Sequence, residues 1–267
     1  MIIRKLTAVL LAFWIAAFAS AAANAASYEL SASQKTAFDK LAGSDPRLDA
    51  QYAELIGLQQ QDKDWEVWTK AAGSRNDEAL SDLRRDVAAI DSALLDKLKA
   101  EMEQTKERYK PILDSYTALN KQISAAKSLP GKELTSFLRM RADSMKILVQ
   151  LAKLEIKAKE AAYRTAKDSA TAKQKKVRAA MADIDPLEAA IKAEKSSTGA
   201  VKKRFADNWK AFTPLVKKGE AHSLSATLDN LLADFRLVVV HKQNLYNLEI
   251  QISGAIETAK AQLPDQG

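Results

Sequence analysis

The sequence predicts an all-α protein, an elongated antiparallel bundle of about five helices, two of them very long and coiled-coil-like. Three observations point there. Gly and Pro are scarce, at 8 and 6 residues of 267, and there is no Cys. Ala, Leu and Lys dominate a composition that is 47% apolar but only 6% aromatic. Apolar residues recur at alternating spacings of three and four along stretches far longer than a strand. The same composition argues against a disulfide scaffold, a zinc ribbon, a Cys-dependent enzyme and a Gly-rich doubly wound fold.

The first element is an export signal. Residues 1–25 carry a basic start at Arg4 and Lys5, an apolar run from Leu6 to Phe18, and a small-residue exit at Ala23-Asn24-Ala25. The apolar run is 13 residues, short of the roughly 20 that span a bilayer, so a cleaved signal peptide is expected rather than an anchor. The mature chain then begins at Ala26 and forms one elongated helical-bundle domain, 26–267. No later stretch reaches a membrane span; the most apolar, Leu231 to Val240, is interrupted by Asp234 and Arg236. With no Cys to bridge, stability is expected to come from packing.

Punctuation places the helices. Gly43 with Pro46, Gly73, Pro130-Gly131, Pro186, Pro214 with Gly219, and Pro264 read as boundaries, because Pro cannot continue a helix and Gly favours the position just past its end. The expected spans are 46–72, 77–128, 131–184, 186–212 and 220–263, preceded by a short helix near Ser33–Leu41. Asp45-Pro46 and Asp185-Pro186 each offer an N-cap carboxylate followed by Pro at the first helical position. Each of these helices also carries Trp near its expected end, a faint sign of an internal repeat.

The 77–128 helix takes its seam from Leu80, Leu83, Val87 and Ile90 through Leu94, Leu98 and Met102 to Tyr116, Leu119 and Ile123, with successive fours around Leu98 marking a stutter. Pro111 predicts a kink rather than a break. A helix of 52 residues extends to about 78 Å. In the 131–184 helix the expected seam is Phe137, Met140, Ser144, Ile147, Leu151, Leu154, Ala158, Ala161 and Thr165. The last helix has the most regular seam, from Leu224 to Leu263, with Lys242 and Glu249 as charged intruders that can fix register or lie at a frayed edge.

Charge is unevenly distributed. The formal net charge is +7, or +5 once Arg4 and Lys5 leave with the signal, and residues 146–218 hold 18 Lys and Arg against 8 Asp and Glu. At 100° per residue Lys146, Lys153, Lys157, Arg164, Lys167, Lys175 and Arg178 fall on one flank of the Ile147–Ala158 seam. Lys202, Lys203, Arg204, Lys210, Lys217 and Lys218 form a second basic patch. Such a stripe suits an anionic cell-wall polymer, lipid headgroups or the acidic face of another envelope protein, and it also suits a merely solvated flank. Export makes nucleic acid an unlikely partner.

Residues that carry chemistry elsewhere find no constellation here. His222 and His241 are 19 apart with no metal-ligand spacing and no nucleophile beside them, and no phosphate loop or nucleophile elbow is present. No cofactor is expected. Asp62, Asp64 and Glu66 follow Gln59-Gln60-Gln61 without the Gly-centred turn of a calcium loop, so a polar helix face is the reading. Trp65 with Trp68 reads as a packing anchor at a helix end. Phe205, Trp209 and Phe212 have the spacing of a packing stripe; beside Lys202, Lys203 and Arg204 they also suit a membrane-surface helix. The expectation is an exported, non-enzymatic envelope protein that binds or spaces other components through its basic 146–218 surface. Two alternatives are an extracytoplasmic holdase chaperone and a helical membrane-active toxin subunit.

Overall fold

A computed structural model describes residues 28–128 and 132–264; the expected signal peptide and the Pro130-Gly131 turn lie outside them. The described chain is all-α, with no strand among its residues. Its helices are α1 (Ala32–Ala42), α2 (Pro46–Ala89), α3 (Ser92–Ala126), α4 (Glu133–Met181), α5 (Ile184–Lys218) and α6 (Ala221–Lys260). They pack as helical bundles in two compact units. One holds the described residues up to Glu78 with Asp183–Gly254, the other Ala79–Ala182 with the described residues from Ala255.

Local chemistry sets most helix ends. Ser31 and Gln34 form a reciprocal capping box at the start of α1, which satisfies two backbone donors that have no partner inside the helix. The Asp45 carboxylate accepts from the Arg47 amide at 3.1 Å as α2 begins. Gly219 ends α5 at φ 76°, a left-handed conformation that costs Gly nothing, and its amide donates back to the Leu215 carbonyl.

Several expected boundaries moved. The chain does not break at Gly73; α2 runs on to Ala89. Gly73 instead allows a close approach, since a Cβ there would stand 3.1 Å from Glu249 Oε1. The break falls at Ile90 and Asp91, where the run of fours begins, and Asp91 takes φ 56°, a region that short polar side chains tolerate better than bulky ones. The new start turns Leu94 outward, 48% exposed, although the seam prediction put it inside. Pro214 likewise sits inside α5 rather than ending it, and α3 continues through Pro111. α2 opens on Asp45-Pro46 as expected, whereas α5 opens earlier, at Ile184, with Asp183 at the cap position and Asp185 inside the first turn rather than capping it; the two helices also close at different distances beyond their Trp residues.

In the first unit the core gathers Phe38 of α1, Leu48 and Leu55 of α2, Phe205 and Phe212 of α5, and Leu224 to Phe235 of α6. Phe205 meets both Tyr28 and Phe235 edge-on with centroids 4.7 Å apart. Phe205 and Phe212 are thus buried and closed to a membrane surface, which removes the lipid reading of that stripe. Trp65 and Trp68 lie mid-helix, stacked edge-on, with Trp65 against Tyr246 and Trp68 half exposed. Partners of α2 and α6 rise in number together, Glu54 with Arg236 and Asn76 with Glu249, so these helices run in the same direction. Between α5 and α6 the numbers run oppositely, Arg204 with Asp234 and Glu194 with His241, so that pair is antiparallel.

The 59–66 segment is polar as expected, with Gln60, Gln61 and Glu66 exposed, but Gln59 and Asp62 are buried. Gln59 is buried and exchanges two hydrogen bonds with the Tyr28 backbone, 3.0 and 3.1 Å long, holding the chain that enters α1. Asp62, 8% exposed, accepts from Lys202 at 2.7 Å and lies 3.8 Å from Lys242. Both charged intruders of the last seam are partnered, Glu249 buried and Lys242 half-buried: Lys242 donates to Glu66 at 2.8 Å, and Asn76 donates to the Glu249 carboxylate at 2.9 Å and to its carbonyl at 2.7 Å. Neither lies at a frayed edge.

In the second unit α3 and α4 form an antiparallel hairpin. Glu101 with Lys159, Lys106 with Glu160, Arg108 with Glu155 and Asp91 with Lys173 bridge them at 2.5–2.7 Å. Apolar contact comes from Leu119 and Ile123 against Ala142, flanked by Tyr116, Leu138 and Met145. These α4 residues are not the expected seam. The buried face of α4 is the Ala142, Val149, Ala152, Ala170 and Val177 row, while Phe137, Met140, Ile147, Leu151 and Leu154 are 55–68% exposed. Between residues 134 and 156, α4 is apolar on two opposite faces, and the bulky side chains of α3 fit the one with small residues.

Candidate functional site

The long α4 carries the basic stripe. Lys153, Lys157, Arg164, Lys167, Lys175 and Arg178 are all exposed, and among the described residues none lies within ion-pair distance of a carboxylate. At 1.5 Å per residue the row from Lys153 to Arg178 is about 38 Å long. Two other lysines of this helix behave differently: Lys159 is tied to Glu101 of α3 and Lys173 to Asp91 just before it. Helix rotation makes the distinction, because residues facing α3 meet its carboxylates and residues on the flank meet none.

Two shallow grooves lie on the stripe. Lys153 borders one with Tyr116, Asn120 and Lys121 of α3. Arg178 borders another with Arg84 and Val87 of α2. Each places a second basic side chain from a neighbouring helix beside one on α4. Lys121 and Arg84 were not singled out by charge plotting along one helix, since only tertiary packing makes them neighbours of the stripe.

The second basic patch lies in the other unit, and half of it is ion-paired. Lys202 pairs with buried Asp62, Arg204 with buried Asp234 at 2.5 Å, and Lys210 with Asp207 at 3.1 Å. Exposed Lys203, Lys217 and Lys218 have no carboxylate at ion-pair distance among the described residues. Asp234 also accepts from Asn208 at 2.8 Å, so Arg204 belongs to a closed hydrogen-bonded set. Pairing of this kind satisfies a carboxylate removed from water and leaves little charge to offer a ligand.

The histidines are separate. His241 donates from Nδ1 to Glu194 at 2.8 Å, and Asn244 donates to the same oxygen; His222 is exposed at the start of α6. Among the described residues no group of three or more His, Cys, Asp or Glu is arranged to hold a metal ion, and no helix is long and apolar enough to cross a membrane.

Several carboxylates are held below the usual range by their partners. The Lys242 ammonium does this for Glu66, the His241 ring for Glu194, the Lys159 ammonium for Glu101 and the Tyr109 hydroxyl for Glu155. A lowered carboxylate contributes stability that is complete above its unfolded value, about 4.3 for Glu, and that disappears as the pH falls through the folded value. Stability is therefore expected to be level from pH 7 to about 5 and to fall below about 4. Urea midpoints across that range check this; a midpoint unchanged at pH 3 contradicts it.

An all-α protein of helical bundles, with a basic stripe on α4 that meets no carboxylate among the described residues, is the class that fold and site define. Comparison of the chain with family models, with curated proteins and with solved structures finds no match.

Proposed function

We propose that the chain is an exported, non-enzymatic protein of the cell envelope or the space outside the cell, which binds an anionic envelope component through the flank of α4. The observation that carries this reading is the contrast in pairing. Lys106, Arg108, Lys159 and Lys173 are matched with carboxylates across the α3–α4 contact, whereas Lys153, Lys157, Arg164, Lys167, Lys175 and Arg178 meet none among the described residues and gain Lys121 and Arg84 at two grooves. A row of like charges held on one rigid helix raises the local potential and favours a polyanion over a single small anion. The ligand class is a polymer or surface bearing repeated phosphate or carboxylate groups. The signal-like residues 1–25 support the location, and N-terminal sequencing of the exported chain is expected to begin at Ala26.

Cosedimentation with isolated cell walls and with anionic vesicles, each across a salt series, tests the site. Binding to one of them is expected to weaken steeply with salt. The variant Lys153→Glu/Lys167→Glu/Lys175→Glu is expected to bind at least about tenfold more weakly with unchanged helicity, as these exposed residues hold no partner. Undiminished binding by the variant, or no salt-dependent binding at all, overturns the reading.

A second reading, an extracytoplasmic holdase, draws on the exposed apolar face of α4. Suppression of client aggregation at stoichiometric amounts would favour it.

A further inference from the structure

We propose that the exposed apolar face of α4 is the seam of an antiparallel coiled coil with a second copy of this chain. The face has what a partner helix requires: Phe137, Met140, Ser144, Ile147, Leu151 and Leu154 alternate spacings of three and four, and Ala158 and Ala161 continue the pattern. A lipid surface needs no such register, whereas knobs-into-holes packing does. The opposite face of α4 is already covered by α3, so the bare row is not awaiting a helix of its own hairpin.

The area suits a specific interface. Seven large apolar side chains of this helix, from Leu134 to Leu154, are 52–68% exposed. At on the order of 100 Å² each they offer roughly 700 Å² per copy, close to the ~800 Å² per partner of a standard interface.

The order of large and small residues selects the direction. The seam is bulky from 137 to 154 and small from 158 onward. In a parallel pair Phe137 would face its own copy and Ala158 its own copy, giving layers of very unequal size. In an antiparallel pair with Ile147 opposite the partner's Leu151, Phe137 falls opposite the partner's Ala161 and Met140 opposite the partner's Ala158. Each layer then combines large with small, and Ser144 meets the partner's Leu154.

Charge agrees with that register. Along the flank beside the seam, Asp143 comes opposite the partner's Lys157, and the symmetry repeats the pair. The residue of this flank that meets its own copy at the two-fold axis is uncharged Gln150. Leu148 lies near the axis on the other flank, so no position places like charges together there. The parallel arrangement pairs neither Asp143 nor Lys157 with an opposite charge. Two hairpins joined this way form a four-helix layer with α3 outermost on each side. Lys153, Lys167 and Lys175 stay outside the seam.

The full chain is expected to sediment as a dimer. Ile147→Glu/Leu151→Glu is expected to shift it to a monomer with unchanged helicity and at least a hundredfold weaker association, since both side chains are exposed within one copy. Asp143→Lys is expected to weaken the dimer about tenfold, and Asp143→Lys/Lys157→Asp to restore it. Because the chain has no Cys, single cysteines report direction: Gln150→Cys is expected to crosslink to its own copy, and Ser144→Cys, about 15 Å from its copy along the axis, is not. A monomer at about 100 µM overturns the proposal, as does capture of an unfolded client by a monomeric chain. A Ser144→Cys crosslink, or no rescue by the charge swap, overturns the antiparallel register.

Discussion

Phe212→Ala is expected to lower the free energy of unfolding by about 3–5 kcal/mol, and Phe137→Ala, measured at dilution where the chain is monomeric, by less than about 0.5 kcal/mol. Both residues sit at regular positions of apolar-periodic helices. Phe212 is 0% exposed among Leu and Phe side chains of the first unit, so truncation removes its burial and leaves a cavity that the close packing around it cannot fill. Phe137 is 56% exposed, and truncation removes surface that is mostly already in water. Denaturant unfolding of the two variants separates them; equal costs would mean that α4 is rotated and that the bare face is core.

The second large effect is expected at Asn76. Replacing it with Ala removes the two hydrogen bonds it donates to Glu249 and leaves a carboxylate that is 8% exposed without its donor. The cost is expected to be about 3 kcal/mol, the range for uncovering a buried charge. The double variant Asn76→Leu/Glu249→Leu is expected to recover most of it, because neither group then needs a partner and Gly73 leaves room beside position 249. Urea unfolding of the single and double variants gives the coupling. A double variant no more stable than Asn76→Ala would show that the pair acts through shape rather than polarity.

The fold class was legible because its signals are local. Pro46, Pro186 and Gly219 mark turns through their backbone restrictions, and the seam from Leu224 to Ala259 is buried where its period put it, Glu249 included, with Lys242 half-buried against Glu66. Gly73 and Pro214 were read as ends by the same rules and are not. Gly73 makes room for Glu249, a residue 176 positions away, and no local rule encodes that distance. Pro214 forgoes one hydrogen bond inside α5, which the packing of Phe212 and Val216 on either side offsets.

The candidate site was legible in part. The flank from Lys153 to Arg178 follows from helical geometry alone, and it is exposed as that geometry requires. The patch at Lys202, Arg204 and Lys210 looked equivalent in sequence. Its difference lies in Asp62 and Asp234, acceptors on α2 and α6 that packing brings to it.

By itself the sequence determined the helices, their period and the side of α4 on which basic charge gathers, because each depends on residues within a turn or two of one another. Only the tertiary structure decided which of the two apolar faces of α4 meets α3, which lysines are matched, and why a Glu can sit in the seam of α6. Burial and ion pairing are settled by the neighbour a side chain meets, and a helix carries the same period whichever face that neighbour covers.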